Sequence, residues 1–402
     1  MAGKRGHGEG TIVKRPDGRW MAQISIGADP STGKPKRMTK YFKTRKEAQE
    51  WLARVQHEQV TGAFVEPAKI TLGEWLIRWL DVYVKPKVKP SSYVNYLDVA
   101  QKHIIPALGS SFLQSLRTNA IQEFYNQKHE NGRLDGQGGL SPRIIHLIHQ
   151  VLNGCLKQAV RERLITNNPA EYTTRPSLKY REMSPLSAEE VRLYLEAAKE
   201  DRLYAAFLLE VSTGLRRGEL LALTWDCIDL MGGTLVVKRT LARVRIADTG
   251  KSVLLFSEPK TESGKRSIPL LPEVVQELKK HRARQAQEKL FFGQEYQDQN
   301  LVFATPLGTP IEPRNFHRKH SQVLRKAGLR HVRLHDLRHT FATILLQEGE
   351  NPENLRDLLG HTKTSTTLDL YCHSTLEGKK KAVSKLQGVL FSEKNKNTSS
   401  GT

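Results

Sequence analysis

The sequence predicts a multidomain α+β protein: a small N-terminal domain of three strands and a helix, a helical domain, and a larger, mainly α domain with a small antiparallel sheet. Three observations predict it. The 402 residues allow two or three domains, and a hydrophobic content of 38% suffices for a core in each. Short β-type runs bounded by turn residues occupy the first 42 residues and reappear only after residue 233, whereas helical periodicity covers most of the remainder. The charge is uneven as well: the first 46 residues hold 12 Lys or Arg against three Asp or Glu, within a chain whose net charge is +21. The expected boundaries are 1–66, 67–175, a linker at 176–186, a third domain at 187–391, and a disordered polar tail at 392–402.

In the first domain, Gly10–Arg15, Trp20–Ala28 and Lys36–Phe42 read as strands separated by Pro16-Asp17-Gly18 and by the turn residues 29–33, which makes a meander. Thr44 followed by Glu47 is a capping box, so a helix should start there and run through Trp51 and Leu52. The glycines and lysine of Gly27–Lys34 do not form a phosphate loop, because the glycine spacing is one residue too long and Pro35 follows the lysine.

The second domain should begin near Thr71, with Leu72, Trp75, Leu76, Trp79 and Leu80 on one helical face. Ser91 or Ser92 is the expected cap of the next helix, Tyr93–Ile105. Further helices are expected at Asn119–Lys128 and Pro142–Arg163, the last carrying a broad apolar face. Asn167-Asn168-Pro169 should end the bundle. In the third domain Ser187 and Glu190 form another capping box. Helix is expected from there to about Leu223, then strands at Thr234–Lys238, Val253–Phe256 and Arg266–Leu270, then helix again.

Composition excludes several functions. No stretch approaches the roughly 18 apolar residues of a membrane span, and Met1–Gly10 has no apolar core like that of a signal peptide. Cys155, Cys227 and Cys372 are too widely spaced for a disulfide framework or a cysteine zinc site, so a reducing, cytoplasmic setting is expected. The basic surplus points to a polyanion, with nucleic acid ahead of an anionic membrane surface because no long basic amphipathic helix is present.

Four segments of the third domain carry groups that packing does not require. The first is Thr213-Gly214-Leu215-Arg216-Arg217-Gly218-Glu219-Leu220, which sets Arg216 and Glu219 three residues apart on one helical face. The second, Pro259–Leu270, reads as a β-hairpin turning at Ser263-Gly264 and presenting Lys260. In the third, Leu334-His335-Asp336-Leu337-Arg338-His339-Thr340-Phe341, a buried stripe of Leu334, Leu337, Phe341 and Leu345 is flanked on one side by His335 and Arg338. His335 and His339 have a metal-pair spacing, but Asp336 stands where the helical zinc pair carries Glu, so no metal is expected. The fourth runs from Leu359-Gly360-His361 through a polar turn to a short helix bearing Tyr371. Taken singly, each has a bland reading: a surface ion pair, an edge lysine, a surface histidine, a half-buried tyrosine.

Together, in this order and spacing, the segments resemble the tyrosine recombinases of the phage and integrative-element integrase type. The resemblance extends over the whole chain, with the first domain similar to an arm-type DNA-binding domain and the second to a helical, SAM-like core-binding domain. It implies site-specific strand exchange through a 3′-phosphotyrosyl link that needs no cofactor. Arg216 and Arg338 would hold the non-bridging phosphate oxygens as planar forks. His335 and His361 would add hydrogen bonds, and His335 would also accept the proton of Tyr371, the nucleophile. Lys260 would protonate the leaving 5′-hydroxyl, with Lys265 and Arg266 as nearby rivals for that role. Glu219 would orient His335 or Arg216. Lys14, Arg15, Arg19, Lys36, Arg37 and Lys40 would contact arm-site DNA.

The implied partners are double-stranded DNA at core and arm-type sites, a homotetramer on that DNA, a DNA-bending host factor and an excision-directing protein, with no membrane. The segment Leu376–Leu390 would dock on a neighbouring subunit or pack in cis. Three other readings compete: a non-catalytic DNA-binding protein on the same fold, a type IB topoisomerase, and a metal-dependent nuclease or integrase.

Overall fold

The computed structural model describes residues 10–28, 32–62, 64–67, 69–178, 184–246, 249–259 and 264–362. Lys260, Ser263, Tyr371, Cys372, the Leu376–Leu390 segment and the tail 392–402 lie outside them. The described residues fall into two compact units that divide between residues 178 and 184.

The first unit opens with the expected meander. Strands β1 (Thr11–Lys14), β2 (Trp20–Ala28) and β3 (Pro35–Phe42) pair antiparallel in that order. Helix α1 (Arg45–Val60) starts at the capping box of Thr44 and Glu47, and its buried Ala48, Trp51, Leu52 and Val55 cover Ala22 and Ile24 of the sheet. Helix α2 (Leu72–Trp79) begins at a second capping box, Thr71 with Glu74. A π-turn at Leu80–Val84 extends it, and α3 (Pro90–Val99) continues through another π-turn, Ala100–Ile104, into α4 (Ile105–Leu108). The cap of α3 is Lys89 with Pro90 at the first turn rather than Ser91 or Ser92, since the fixed φ of proline starts a helix and its missing N–H costs nothing there. Helices α5 (Thr118–Asn131) and α6 (Pro142–Arg161) complete the bundle. The Trp75 indole donates to the Cys155 carbonyl at 3.0 Å, which ties α2 to α6.

In the second unit, α7 (Ala188–Ala198) starts at the Ser187–Glu190 capping box. The helical run does not continue to Leu223. It breaks after α8 (Tyr204–Thr213) at Gly214, whose φ of 60° is left-handed, and resumes as the short α9 (Arg217–Leu220). Five strands follow: β4 (Ile228–Asp229), β5 (Thr234–Val236), β6 (Thr240–Arg245), β7 (Ser252–Ser257) and β8 (Ser267–Pro269). Sequence reading misses β6. β7 pairs with β6, and β8 pairs with β5 in the sheet β4-β5-β8; the turn expected at Ser263-Gly264, with the arm before it, falls largely outside the described residues. The physical reason for the β6–β7 pairing is loop length: Thr240–Arg245 can meet Ser252–Ser257 across a tight turn closed by Ile246 N–H on the Lys251 carbonyl at 2.8 Å. Four helices follow: α10 (Pro272–Phe292) and α12 (Leu334–Gln347) pack on α8, α11 (Pro313–Lys326) on α7, and α13 (Pro352–Leu359) on α12. Their core includes Tyr194, Phe207, Leu220, Phe303, Phe316 and Leu337, with the rings of Phe207 and Phe316 stacked at 5.1 Å. No helix among the described residues is long and apolar enough to cross a membrane.

Two histidines lock this core in the neutral state. His320 Nε2 donates to the Val332 carbonyl at 3.1 Å, which leaves Nδ1 to accept from the Tyr194 hydroxyl at 2.9 Å. His281 Nε2 likewise donates to the Val302 carbonyl at 2.7 Å. Burial pushes both imidazoles down to about 4. An unfolded chain takes up these protons near pH 6.5, so stability is complete above that pH and is lost as pH falls from 6.5 toward 4. The loss is roughly 2 kcal/mol per histidine by pH 5. Urea midpoints measured at pH 7.5 and 5.0 should fall accordingly, and His320→Gln should flatten the slope. A pH-independent midpoint would contradict neutral burial.

Candidate functional site

Glu219 anchors the site, and the way it does so differs from the expected helical face. Arg216 is the extended N-cap of α9, and Glu219 at the third helical position reaches back to it. One carboxylate oxygen, Oε2, accepts from the Arg216 backbone N–H at 3.0 Å, and Oε1 accepts from Arg216 Nη1 at 2.7 Å. The carboxylate is 4% exposed, whereas the Arg216 side chain is 40% exposed. Arg217 is the first residue of the helix and points to solvent. The cap geometry thus separates the two arginines.

A second cation entered the sequence reading only as a rival of Lys260. Arg266, buried immediately before β8, donates Nη2 to Glu219 Oε2 at 2.9 Å. The other rival of Lys260, Lys265, lies at the surface beside Glu258, at 3.3 Å. Arg266 cannot serve as the general acid, because a guanidinium does not surrender its proton. Glu219 therefore orients Arg216 and binds Arg266; the described hydrogen bonds do not join it to His335. The two guanidiniums hold Glu219 below the usual carboxylate range against its burial.

The end of α13 gathers all of these groups. Gly360 closes the helix in the left-handed conformation at φ 65°, with the His361 N–H returning to the Arg356 carbonyl at 3.0 Å. Three consecutive carbonyls exposed by this ending accept from three different arginines: Leu358 from Arg266 Nε at 2.6 Å, Leu359 from Arg338 Nη2 at 2.5 Å, and Gly360 from Arg216 Nη2 at 3.3 Å. A helix C-terminus leaves its last carbonyls unpaired and carries partial negative charge, which is where cations are favoured. Arg338 also donates Nη1 to the Gly214 carbonyl at 2.7 Å.

Arg338, expected to flank the buried stripe beside His335, goes deeper than that face implies. At 2% exposure it is buried, because its reach across the αL turn of Gly214 brings it under α13. Gly214 has to be glycine for space as well as for φ: an added Cβ would lie 2.5 Å from Phe341 Cδ1. Gly218 is similarly constrained, since a Cβ there would lie 2.4 Å from the Thr240 hydroxyl on β6.

Three imidazoles ring the cluster. His335, at the start of α12, is the most exposed of the three yet partly packed in by its neighbours, and His361 is half-buried. Burial first, and then the charges of Arg338 and Arg216, lower both, His361 to about 4. His339 is brought to about 4 by burial and by His335, whose ring stands edge-on at 4.9 Å. At neutral pH these groups are uncharged, so His335 can accept a proton and His361 can donate an N–H. Among the described residues no group of three or more His, Cys, Asp or Glu could hold a metal ion. The site thus presents fixed guanidiniums and neutral imidazoles, a combination suited to a phosphate whose charge grows in the transition state.

The six basic residues of the first domain do not share one face. The strand register puts Arg37 opposite Ser25, on the open side of the sheet with Gln23, Thr39 and Tyr41. Lys36 and Lys40 belong to the other side, with Met38 and Phe42. Lys36 pairs with Glu66, and Lys40 lies over the Phe42 ring at 5.6 Å. Lys14 lies opposite Trp20, and Arg15 and Arg19 flank the Tyr41 ring at 5.5 and 5.6 Å. Arg19 also pairs with Asp17 at 2.8 Å. Gln23, Thr39 and Tyr41 escape a search for cations, although strand alternation alone identifies their face. Gln23 donates to the Thr39 hydroxyl at 3.0 Å.

Comparison with known proteins agrees with this organisation. Residues 184–377 match the phage integrase family, 71–129 its N-terminal SAM-like domain, and 11–59 an arm DNA-binding domain. A tyrosine recombinase XerC-like protein of Caldanaerobacter subterraneus is 31% identical over 395 residues, 94% of this chain and 98% of that one. The ICEBs1 integrase of Bacillus subtilis is 27% identical, covering 94% of this chain and all of its own. The integrase of transposon Tn1549, solved with transposon right end DNA, shares the fold at a TM-score of 0.65 and 22% identity over 79% of this chain and 99% of its own. So does a lambda integrase tetramer bound to a Holliday junction, at 0.53 and 20% over 92% and 96%. Coverage from end to end at this identity makes the chain a member of the phage integrase family of tyrosine recombinases, enzymes that carry out site-specific DNA recombination.

Proposed function

We propose that this recombinase cuts and rejoins DNA at a site built from Arg216, Lys260, His335, Arg338, His361 and Tyr371, with Glu219 behind Arg216. The Tyr371 oxygen attacks the scissile phosphorus while His335 takes the phenolic proton. The bond to the 5′-oxygen breaks as Lys260 supplies a proton, leaving a 3′-phosphotyrosyl link and a free 5′-hydroxyl. Arg216 and Arg338 neutralise the non-bridging oxygens, and His361 donates to one of them. Attack by the 5′-hydroxyl of a second strand reverses the steps, so no nucleotide is consumed. The observation that carries this reading is the convergence of Arg216 and Arg338 on the Gly360 and Leu359 carbonyls, directly before His361.

We further propose three domains with the boundaries expected from sequence, residues 1–66 acting on arm sites and 67–175 together with 187–391 on the core site. The open face of the β1-β2-β3 sheet, bearing Gln23, Arg37, Thr39 and Tyr41 with Arg15 and Arg19 against the Tyr41 ring, supports reading of the duplex there: neutral side chains suit base edges and cations suit phosphates. Exchange needs two duplexes, and similarity to the lambda integrase tetramer supports a homotetramer on DNA. A DNA-bending host factor and an excision-directing protein would set the direction of the reaction, in the cytoplasm of the cell that carries the element.

The test uses a nicked duplex carrying the joined ends of the element that encodes the chain. With EDTA present, the full-length protein should form a detergent-resistant adduct, and mass spectrometry of its peptides should place the nucleotide on Tyr371. Strict dependence on magnesium, or a link at another residue, would overturn the scheme.

A further inference from the structure

Arg266 takes part in no step of the reaction as written, yet it joins three segments that the site depends on. Its side chain is 6% exposed and donates in three directions: to Glu219 on α9, to the Leu358 carbonyl at the end of α13, and to the Gly264 carbonyl two residues before it at 3.3 Å. Glu219 is the described carboxylate of the cluster, and each of its oxygens faces a guanidinium. With Arg216 as sole counter-ion, the buried carboxylate would cancel the charge of Arg216 and draw its fork inward. With Arg266 present, Arg266 and Glu219 balance each other inside, and the 40% exposed Arg216 keeps its charge for an outside anion. The same fork holds Leu358, two residues from the Gly360 carbonyl that steadies Arg216 and three from His361.

We infer that Arg266 is the positioning residue of this active site, the internal counter-ion of Glu219 that leaves Arg216 charged toward the phosphate and fixes the turn that delivers His361. The inference rests on the reading that Arg216 meets the scissile phosphate. Lysine could supply the charge but not three diverging donors, so this position demands the guanidinium shape.

The test uses the full-length chain and the same nicked duplex of joined element ends. Arg266→Met should leave the half-saturating DNA concentration within about threefold of the parent, while the single-turnover rate of adduct formation at saturating DNA falls about 100-fold, the scale of losing one oriented charge. Adding Glu219→Gln should restore at least tenfold of that loss, because the carboxylate that captures Arg216 is gone. Arg266→Lys should be intermediate in rate. The double variant and Arg266→Lys also avoid a lone buried carboxylate, so they stay readable if Arg266→Met unfolds, as a thermal melt would reveal. Adduct formation by Arg266→Met or Arg266→Lys at the parent rate would overturn the inference, as would a folded double variant no faster than Arg266→Met. Arg216→Ala separates the two levels: a normal rate in that variant removes the underlying reading of the site, whereas a slow Arg216→Ala beside a normal Arg266→Met removes only the role of Arg266.

Discussion

Tyr371→Phe is expected to bind the joined-end duplex as the parent does and to form no covalent adduct, a loss of at least about 10⁴-fold that reaches the background of the assay. The substitution removes one oxygen, the atom that becomes bonded to phosphorus, and keeps the aromatic ring. A phenol near its ordinary pKa of about 10 is a poor nucleophile at pH 7 unless its proton is taken during attack. His335 is available for that because burial and the charges of Arg338 and Arg216 keep it neutral. The same cations would stabilise the phenolate, so attack is assisted from both sides. Gel shift and detergent-resistant adduct, measured on one set of samples, separate binding from chemistry. An adduct of undiminished yield would show that the nucleophile lies elsewhere, and peptide mapping of that adduct would name it.

What could be read from sequence was whatever is encoded locally. The Thr44–Glu47 and Ser187–Glu190 boxes are fixed by residues three apart, and both helices start where those residues say. The meander was legible because its strands are consecutive and its turns carry Pro, Gly and Asp. Legibility fails where a segment chooses among distant partners. The run Ser267–Pro269 reads locally as a strand but carries no local sign that it pairs with Thr234–Val236, far earlier in the chain, and Ser252–Ser257 likewise finds its partner in Thr240–Arg245, which sequence reading misses. Arg338 shows the same limit in the site. Its place four residues from Leu334 marks a helix face, but its burial arises from the Gly214 and Leu359 carbonyls, 124 and 21 positions away in the chain respectively. Arg266 was visible only as a basic residue near a lysine. Nothing local says that a carboxylate 47 residues earlier will hold it. Residue types announce the chemistry of the site, whereas the second layer that aims them is written in long-range contacts.

Arg338→Lys should have the next largest effect, and it should register on two instruments at once. In the folded protein Arg338 joins two left-handed turns, donating to the carbonyl of Gly214, which ends α8, and to that of Leu359, at the end of α13. These turns carry Arg216 two residues after Gly214 and His361 two residues after Leu359, so one guanidinium sets the separation of both groups. A lysine ammonium is a single point and cannot serve two carbonyls in diverging directions while facing a phosphate. At 2% exposure no water replaces the lost donor, and one buried carbonyl left unpaired costs about 1–3 kcal/mol. The thermal midpoint should therefore drop by several degrees. The rate of adduct formation should fall by about 10³-fold, because charge neutralisation is weakened and Arg216 and His361 lose their spacing together. Measuring the rate well below the midpoint, with the folded fraction known, isolates the second effect. A variant with a lowered midpoint and a parental rate would assign Arg338 to the scaffold alone and leave Arg216 as the cation that holds the phosphate.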